Sequence, residues 1–176
     1  MDLISGITSF IDGLIDFLEG TASDPLIFSI IFFIYAVLAA IILPIPVEIG
    51  LFFSPATPVL VKIFIMGLGK MVGSILVFHI GLTLGDKIKA WSSRWRFFNW
   101  IVVKCEWLVS KFHYLGLYII LSIPIMTDTV PLYLFSVFNE KGVLERKWFA
   151  VVSFLGGVTR GAIVFAVFYL LGIKLI

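Results

Sequence analysis

Charge is what this chain has least of. Asp, Glu, Lys and Arg make up 14% of its 176 residues, where a soluble domain carries about a quarter. That composition excludes an ordinary water-soluble globule. Cysteine is almost absent. The single Cys105 rules out an internal disulfide and provides no metal-ligand spacing. There is no Ser/His/Asp arrangement, no H-E-x-x-H and no Gly-rich phosphate loop after a strand. No nucleophile stands beside a base. Neither an enzyme, a cofactor nor a metal centre is therefore expected.

What the chain does have is apolar sequence, 61% of its residues. The expectation is an all-α integral membrane protein folded as a single membrane domain over residues 1–176. The acidic start, with Asp2, Asp12, Asp16, Glu19 and Asp24, is unlike a signal peptide, which begins basic. In residues 1–24 Leu3, Ile7, Phe10, Ile11, Leu14 and Leu18 recur at helical spacing. This predicts an amphipathic N-terminal helix docked on the protein or the membrane surface.

Residues 25–47 are 23 positions without a charge until Glu48, enough for one transmembrane helix. Leu43-Pro44-Ile45-Pro46-Val47-Glu48 then breaks it with two prolines. The next apolar piece, residues 49–61, is 13 long and contains Pro55 and Pro58. It is too short to cross. Non-helical backbone at membrane depth is tolerated where protein or a water-filled cavity covers it, so 43–61 is read as a re-entrant hairpin. The second span is 62–85, with Gly69-x-x-x-Gly73 and Gly81-x-x-x-Gly85 for close helix approach. Its Lys70 is expected to snorkel to the interface, and His79 to make an ordinary polar contact.

Residues 86–111 carry six Lys/Arg against two acids, interleaved with Trp91, Trp95, Trp100 and Trp107. In so apolar a chain this predicts an interfacial helix rather than nucleic-acid binding. The 112–139 region, interrupted by Pro124, Asp128 and Pro131, reads as a second re-entrant or broken element. The final span, 148–173, has one charge, Arg160, near its midpoint. A cation at bilayer centre costs ~2.5 to ~17 kcal/mol depending on the reference state, so it needs a partner. With the N-terminus, 86–111 and the 139–147 loop on one face, nine of the thirteen Lys/Arg lie there. The positive-inside rule makes that face cytoplasmic and the protein a multi-pass cell-membrane protein.

Paired broken segments in two halves point to a transporter binding site. Glu48, Asp128 and Arg160, with Thr127 and Thr129, are the candidate substrate- or ion-binding residues. Pro44, Pro46, Pro124 and Pro131 shape the two breaks. Glu48 beside a helix end can cap it, bind a cation or carry a proton. Asp128 can satisfy its own turn or pair with Arg160. Arg160 can form a structural ion pair or hold a phosphate with two parallel hydrogen bonds.

Leu43-Pro-Ile-Pro-Val-Glu48, the Gly-rich stretch 67–85, Ser122-Ile-Pro-Ile-Met-Thr-Asp128 and Gly157-Val-Thr-Arg160 resemble the DedA superfamily of the VTT/SNARE-associated type. The Pro-Asp loop in the second half is most similar to the YqaA-like branch. The resemblance covers roughly residues 25–173. It implies two opposed re-entrant hairpins and the movement of phospholipid or polyprenyl-phosphate carriers across the bilayer. It also implies proton coupling through the hairpin carboxylate, here Glu48. The chain departs from the larger branch in two ways. No acid precedes Pro44, and Ser122 and Asp128 replace an arginine-rich Pro loop, leaving Arg160 to supply the buried cation. Expected partners are membrane lipids, including phosphate-headgroup lipid, protons or a cation, and a second copy of the chain. The alternatives are a proton- or cation-coupled exporter of small solutes and a non-transporting membrane assembly factor.

Overall fold

A computed structural model describes residues 23–42, 46–92, 96–139, 142 and 144–171, with a few isolated positions up to residue 21. Side chains are described except at 86–102, 105, 106 and 108. Most of the expected N-terminal amphipathic helix, Leu43 to Ile45 with Pro44, and Trp95 lie outside what is described, as do the side chains of Trp91 and Trp100.

Among the described residues the chain forms α1 (Pro25–Ile41), a 3-10 helix (Val47–Phe52), α2 (Val59–Ser92), α3 (Arg96–Ser122), α4 (Thr129–Val137) and α5 (Arg146–Leu170). No strand occurs among them. Two helices are long and apolar enough to cross a membrane, Val59–Gly85 within α2 and Arg146–Leu170. Their outward side chains include Leu60, Phe64, Leu76, Leu155, Ile163 and Val167, all exposed. An apolar exterior around a core that holds charge is the pattern expected of lipid as solvent.

α1 begins where Asp24 caps it, its Oδ1 accepting from the N–H groups of Leu26 at 2.9 Å and Ile27 at 3.3 Å, with Pro25 in the first turn. It ends at Ile41, ahead of the proline pair. At 17 residues it is about 25 Å long. Ala36 lies against Gly69 and Ala40 against Gly73, while the Lys62 ammonium sits 5.9 Å from the Phe28 ring centroid. Positions on α1 and α2 therefore advance together, and the two helices run parallel. Two consecutive helices can run parallel only if the chain between them returns. The 3-10 helix makes that return: Gly50 reaches Phe32, and the Leu51 and Phe53 carbonyls reach Lys62.

The first broken element is thus larger than expected. α1 and the 3-10 helix are its two limbs, with Ile42 and Pro46 on either side of the turn. Pro25 consequently stands at the end of the bundle where Val59 starts. α2 carries the chain from there to the opposite end, where residues 86–92 lie; most of the N-terminal segment itself is outside the described residues. Of the 23 uncharged residues, 17 form the helix α1.

α5 runs antiparallel to α2, with Phe149 against Phe78, Gly157 against Lys70 and Gly67, and Gly161 against Ile63 and Met66. α3 is bent at His113, whose φ of 45° is non-helical. Its limb after the bend runs beside α5, with Tyr114 Oη accepting from the Glu145 N–H and Leu121 reaching Gly156. The chain breaks at 123–128, and α4 returns along α2, Ser136 against Gly81 and Val137 against Gly85. This second hairpin enters from the end opposite the first. Thr129 Oγ1 donates to the Ala39 carbonyl at 3.0 Å, so the two hairpin tips meet halfway along α2 and α5.

The basic stretch 86–111 is not one separate helix. α2 continues through its first part to Ser92, and α3 begins at Arg96. The expected break in 112–139 is at 123–128, and the final helix starts at Arg146, two residues before the expected span.

Candidate functional site

Both tips are built from chain that cannot stay helical. Pro46 has an extended conformation, φ −63° and ψ 114°, and feeds the 3-10 helix whose first turn holds Glu48. In the second tip Pro124 follows the end of α3. Ile125 has φ 66°, a left-handed conformation unfavourable for a β-branched residue. Pro131 is in the first turn of α4, where a missing N–H costs no helical hydrogen bond. The second break leaves carbonyls at the end of α3 and in the loop without helical partners.

Arg160 supplies them. From the middle of α5 its Nε donates to the Leu121 carbonyl at 2.7 Å, and its Nη1 donates to the Met126 carbonyl at 2.7 Å and to Glu48 Oε1 at 3.1 Å. Nη1 also lies 3.0 Å from Asp128 Oδ1. Two protons on Nη1 serve two acceptors, so the Asp128 contact is coulombic, and Oδ1 has no hydrogen-bond partner among the described residues. Asp128 Oδ2 lies 2.9 Å from Lys70 Nζ, again an ion pair without hydrogen-bond geometry.

The result is a closed cluster of two acids and two cations drawn from the first hairpin, the second hairpin, α2 and α5. Arg160 is 0% exposed, Lys70 1%, Asp128 3% and Glu48 5%. Buried charges require this kind of pairing. The pairing is nonetheless incomplete. Glu48 Oε2, Arg160 Nη2 and the Tyr35 hydroxyl are buried with no hydrogen-bond partner among the described residues. Tyr35 lies within electrostatic reach of Glu48. An acceptor, a guanidinium nitrogen and a phenol without hydrogen-bond partners among the described residues thus lie in one buried cluster.

The structure therefore brings together Glu48, Asp128 and Arg160, with Thr129 joining the tips. Thr127 is half-buried in the loop between Met126 and Asp128. Two cations missed in the sequence are also here. Lys70 is not at the interface but inside the cluster. Lys62 is fully buried and donates to the Leu51 carbonyl at 3.2 Å and to that of Phe53 at 2.5 Å, holding the end of the 3-10 helix. A signal for Lys70 exists in the sequence. Gly67, Lys70 and Ser74 are three and four residues apart, so Lys70 shares the face of α2 with small residues. Small residues face protein, not lipid. No three His, Cys, Asp or Glu side chains gather among the described residues. No protein-family model, no curated protein and no solved structure matches this chain.

Proposed function

We propose that this protein is a multi-pass cell-membrane transporter or scramblase of the DedA type, moving phosphate-headed lipid across the bilayer with proton coupling. In this reading each hairpin is re-entrant. The first closes the site from one side, the second from the other, and the basic 86–111 and 139–147 segments face the cytoplasm. One observation carries the reading: a buried charge cluster holds together the tips of two opposed broken hairpins. A cluster that served stability alone would be replaceable by packed apolar residues, often at no loss.

The chemistry follows from the contacts. A proton on Glu48 cancels its charge and weakens its hold on Arg160 Nη1. The guanidinium then lacks one of its counter-charges, while Nη2 has no hydrogen-bond partner among the described residues. A phosphate oxygen pair matches the fork of Nη1 and Nη2. Binding releases the first hairpin from α5 and opens the site toward that side. Loss of the proton from Glu48 restores the ion pair and expels the headgroup.

A second reading has one observation in its favour. The cluster is closed and Arg160 already has four contacts, as a structural brace in an assembly factor would. Reconstitution separates the two. The purified protein in vesicles should accelerate exchange of a phosphate-headed lipid between leaflets, and Arg160→Ala should reduce the rate to that of protein-free vesicles. Arg160→Lys should also be impaired, because an ammonium lacks the planar fork. Wild-type vesicles that exchange lipid no faster than empty ones favour the brace, and ion flux without lipid exchange favours a small-solute exporter.

A further inference from the structure

One polar group of the core has no task in packing. Phe28, Phe32 and Tyr35 fall four and three residues apart on α1, and their rings stack in succession with centroids 5.7 and 6.5 Å apart. All three side chains are buried, Tyr35 to 1% exposure. The stripe needs an apolar ring at each position, and phenylalanine serves at two of them. The third, nearest the hairpin tip, carries a hydroxyl. That hydroxyl is buried with no hydrogen-bond partner among the described residues. A buried tyrosine ordinarily finds a partner for its O–H, and one left without a partner costs stability.

Tyr35 stands one layer from the charges. Ala36 beside it lies against Gly69, the neighbour of Lys70. Ala39, one turn further along α1, accepts the Thr129 hydroxyl with its carbonyl, next to Asp128. Val47 and Leu51, on either side of Glu48 in sequence, belong to the same core cluster as Tyr35. So do Met66 and Val164, one helical turn from Lys70 and Arg160 respectively. Tyr35 also lies within electrostatic reach of Glu48. Two atoms of the charge cluster share its condition: Arg160 Nη2 and Glu48 Oε2 are buried without hydrogen-bond partners among the described residues.

We propose that Tyr35 is a ligand-contacting residue of the site, its hydroxyl donating a hydrogen bond to the phosphate group that the Arg160 fork holds. The role rests on the phosphate reading of the site. A lipid phosphate offers at least two unesterified oxygens, and a guanidinium fork engages each of two oxygens once. Lone pairs remain for a further donor. A neutral phenol supplies it without adding charge to a buried cluster, where an extra cation would be costly. In the resting protein the same hydroxyl is a liability. Removing it therefore has opposite effects on folding and on binding.

Binding of short-chain phosphatidic acid to the purified full-length protein in detergent tests this, with diacylglycerol of the same chains as the uncharged control and thermal unfolding measured alongside. Tyr35→Phe should melt at or above wild type without lipid. It should bind phosphatidic acid about tenfold more weakly, the worth of a hydrogen bond to a charged group, and diacylglycerol as wild type does. Unaltered phosphatidic acid affinity in Tyr35→Phe overturns the proposal and leaves the phosphate reading standing. A lower melting temperature overturns it too, since the hydroxyl would then have a partner at rest. A loss of affinity shared by both lipids marks a change of packing and does the same. Wild type that binds phosphatidic acid no tighter than diacylglycerol sinks the phosphate reading, and the role of Tyr35 with it.

Discussion

Arg160 is the residue on which both hairpins converge, and Asp128 is its link to α2. Asp128→Asn removes a charge shared by two buried cations, leaving Glu48 alone against both. Breaking a buried pair from one side costs about 3–5 kcal/mol, so this variant should melt well below wild type. Adding Arg160→Gln returns the cluster to one acid and one cation, Glu48 and Lys70, and should recover much of the lost stability without transport. Thermal unfolding in detergent or lipid measures both variants, and full stability in Asp128→Asn would remove the pairing from the account. Glu48, Asp128 and Arg160 were legible in the sequence because each interrupts an apolar run. Lys70 and Lys62 were not, because a lysine with a long stem in an apolar helix reads equally well as snorkelling. What separates the cases is the helix face, and the small-residue stripe holding Lys70 marks that face.

The elements were legible in kind and less so in extent. Proline pairs and charges located both breaks, since proline removes a helical donor wherever it falls. They did not show that α1 is a limb of the first hairpin, because that depends on α1 and α2 running parallel. The contact that sets this direction is between backbones at Gly69 and Gly73. A Cβ at Gly69 would lie 2.5 Å from Ala36 Cβ and 3.0 Å from the Phe33 carbonyl oxygen. Gly69→Leu should therefore displace α1 and cost about 1–3 kcal/mol as an overpacked contact, lowering the melting temperature. An unchanged melting temperature would mean that α1 does not seat there. The hairpin itself predicts topology. In a Cys105→Ala background, cysteines at Ser23 and Ala56 should be labelled from the same side of the membrane, and one at Gly142 from the other. Labels at Ser23 and Ala56 on opposite sides would mean that α1 crosses.

For the whole molecule, composition alone identified an apolar exterior, and the structure adds an interior that is unusually charged for it. The described chain places four ionisable side chains where two half-length elements meet, between two helices long enough to span. Holding charge there is expensive, and on the proposed reading the Glu48 oxygen and Arg160 nitrogen that lack hydrogen-bond partners among the described residues are where a ligand would complete the cluster. The account then makes proton binding at Glu48 and headgroup binding at Arg160 two sides of one exchange. The direct test is the rate of phosphate-headed lipid exchange in reconstituted vesicles, followed across pH for wild type and Glu48→Gln side by side. The glutamine mimics the protonated acid at every pH. The account predicts a pH-dependent rate for wild type and a flat profile for Glu48→Gln, and two profiles with the same pH dependence would contradict it.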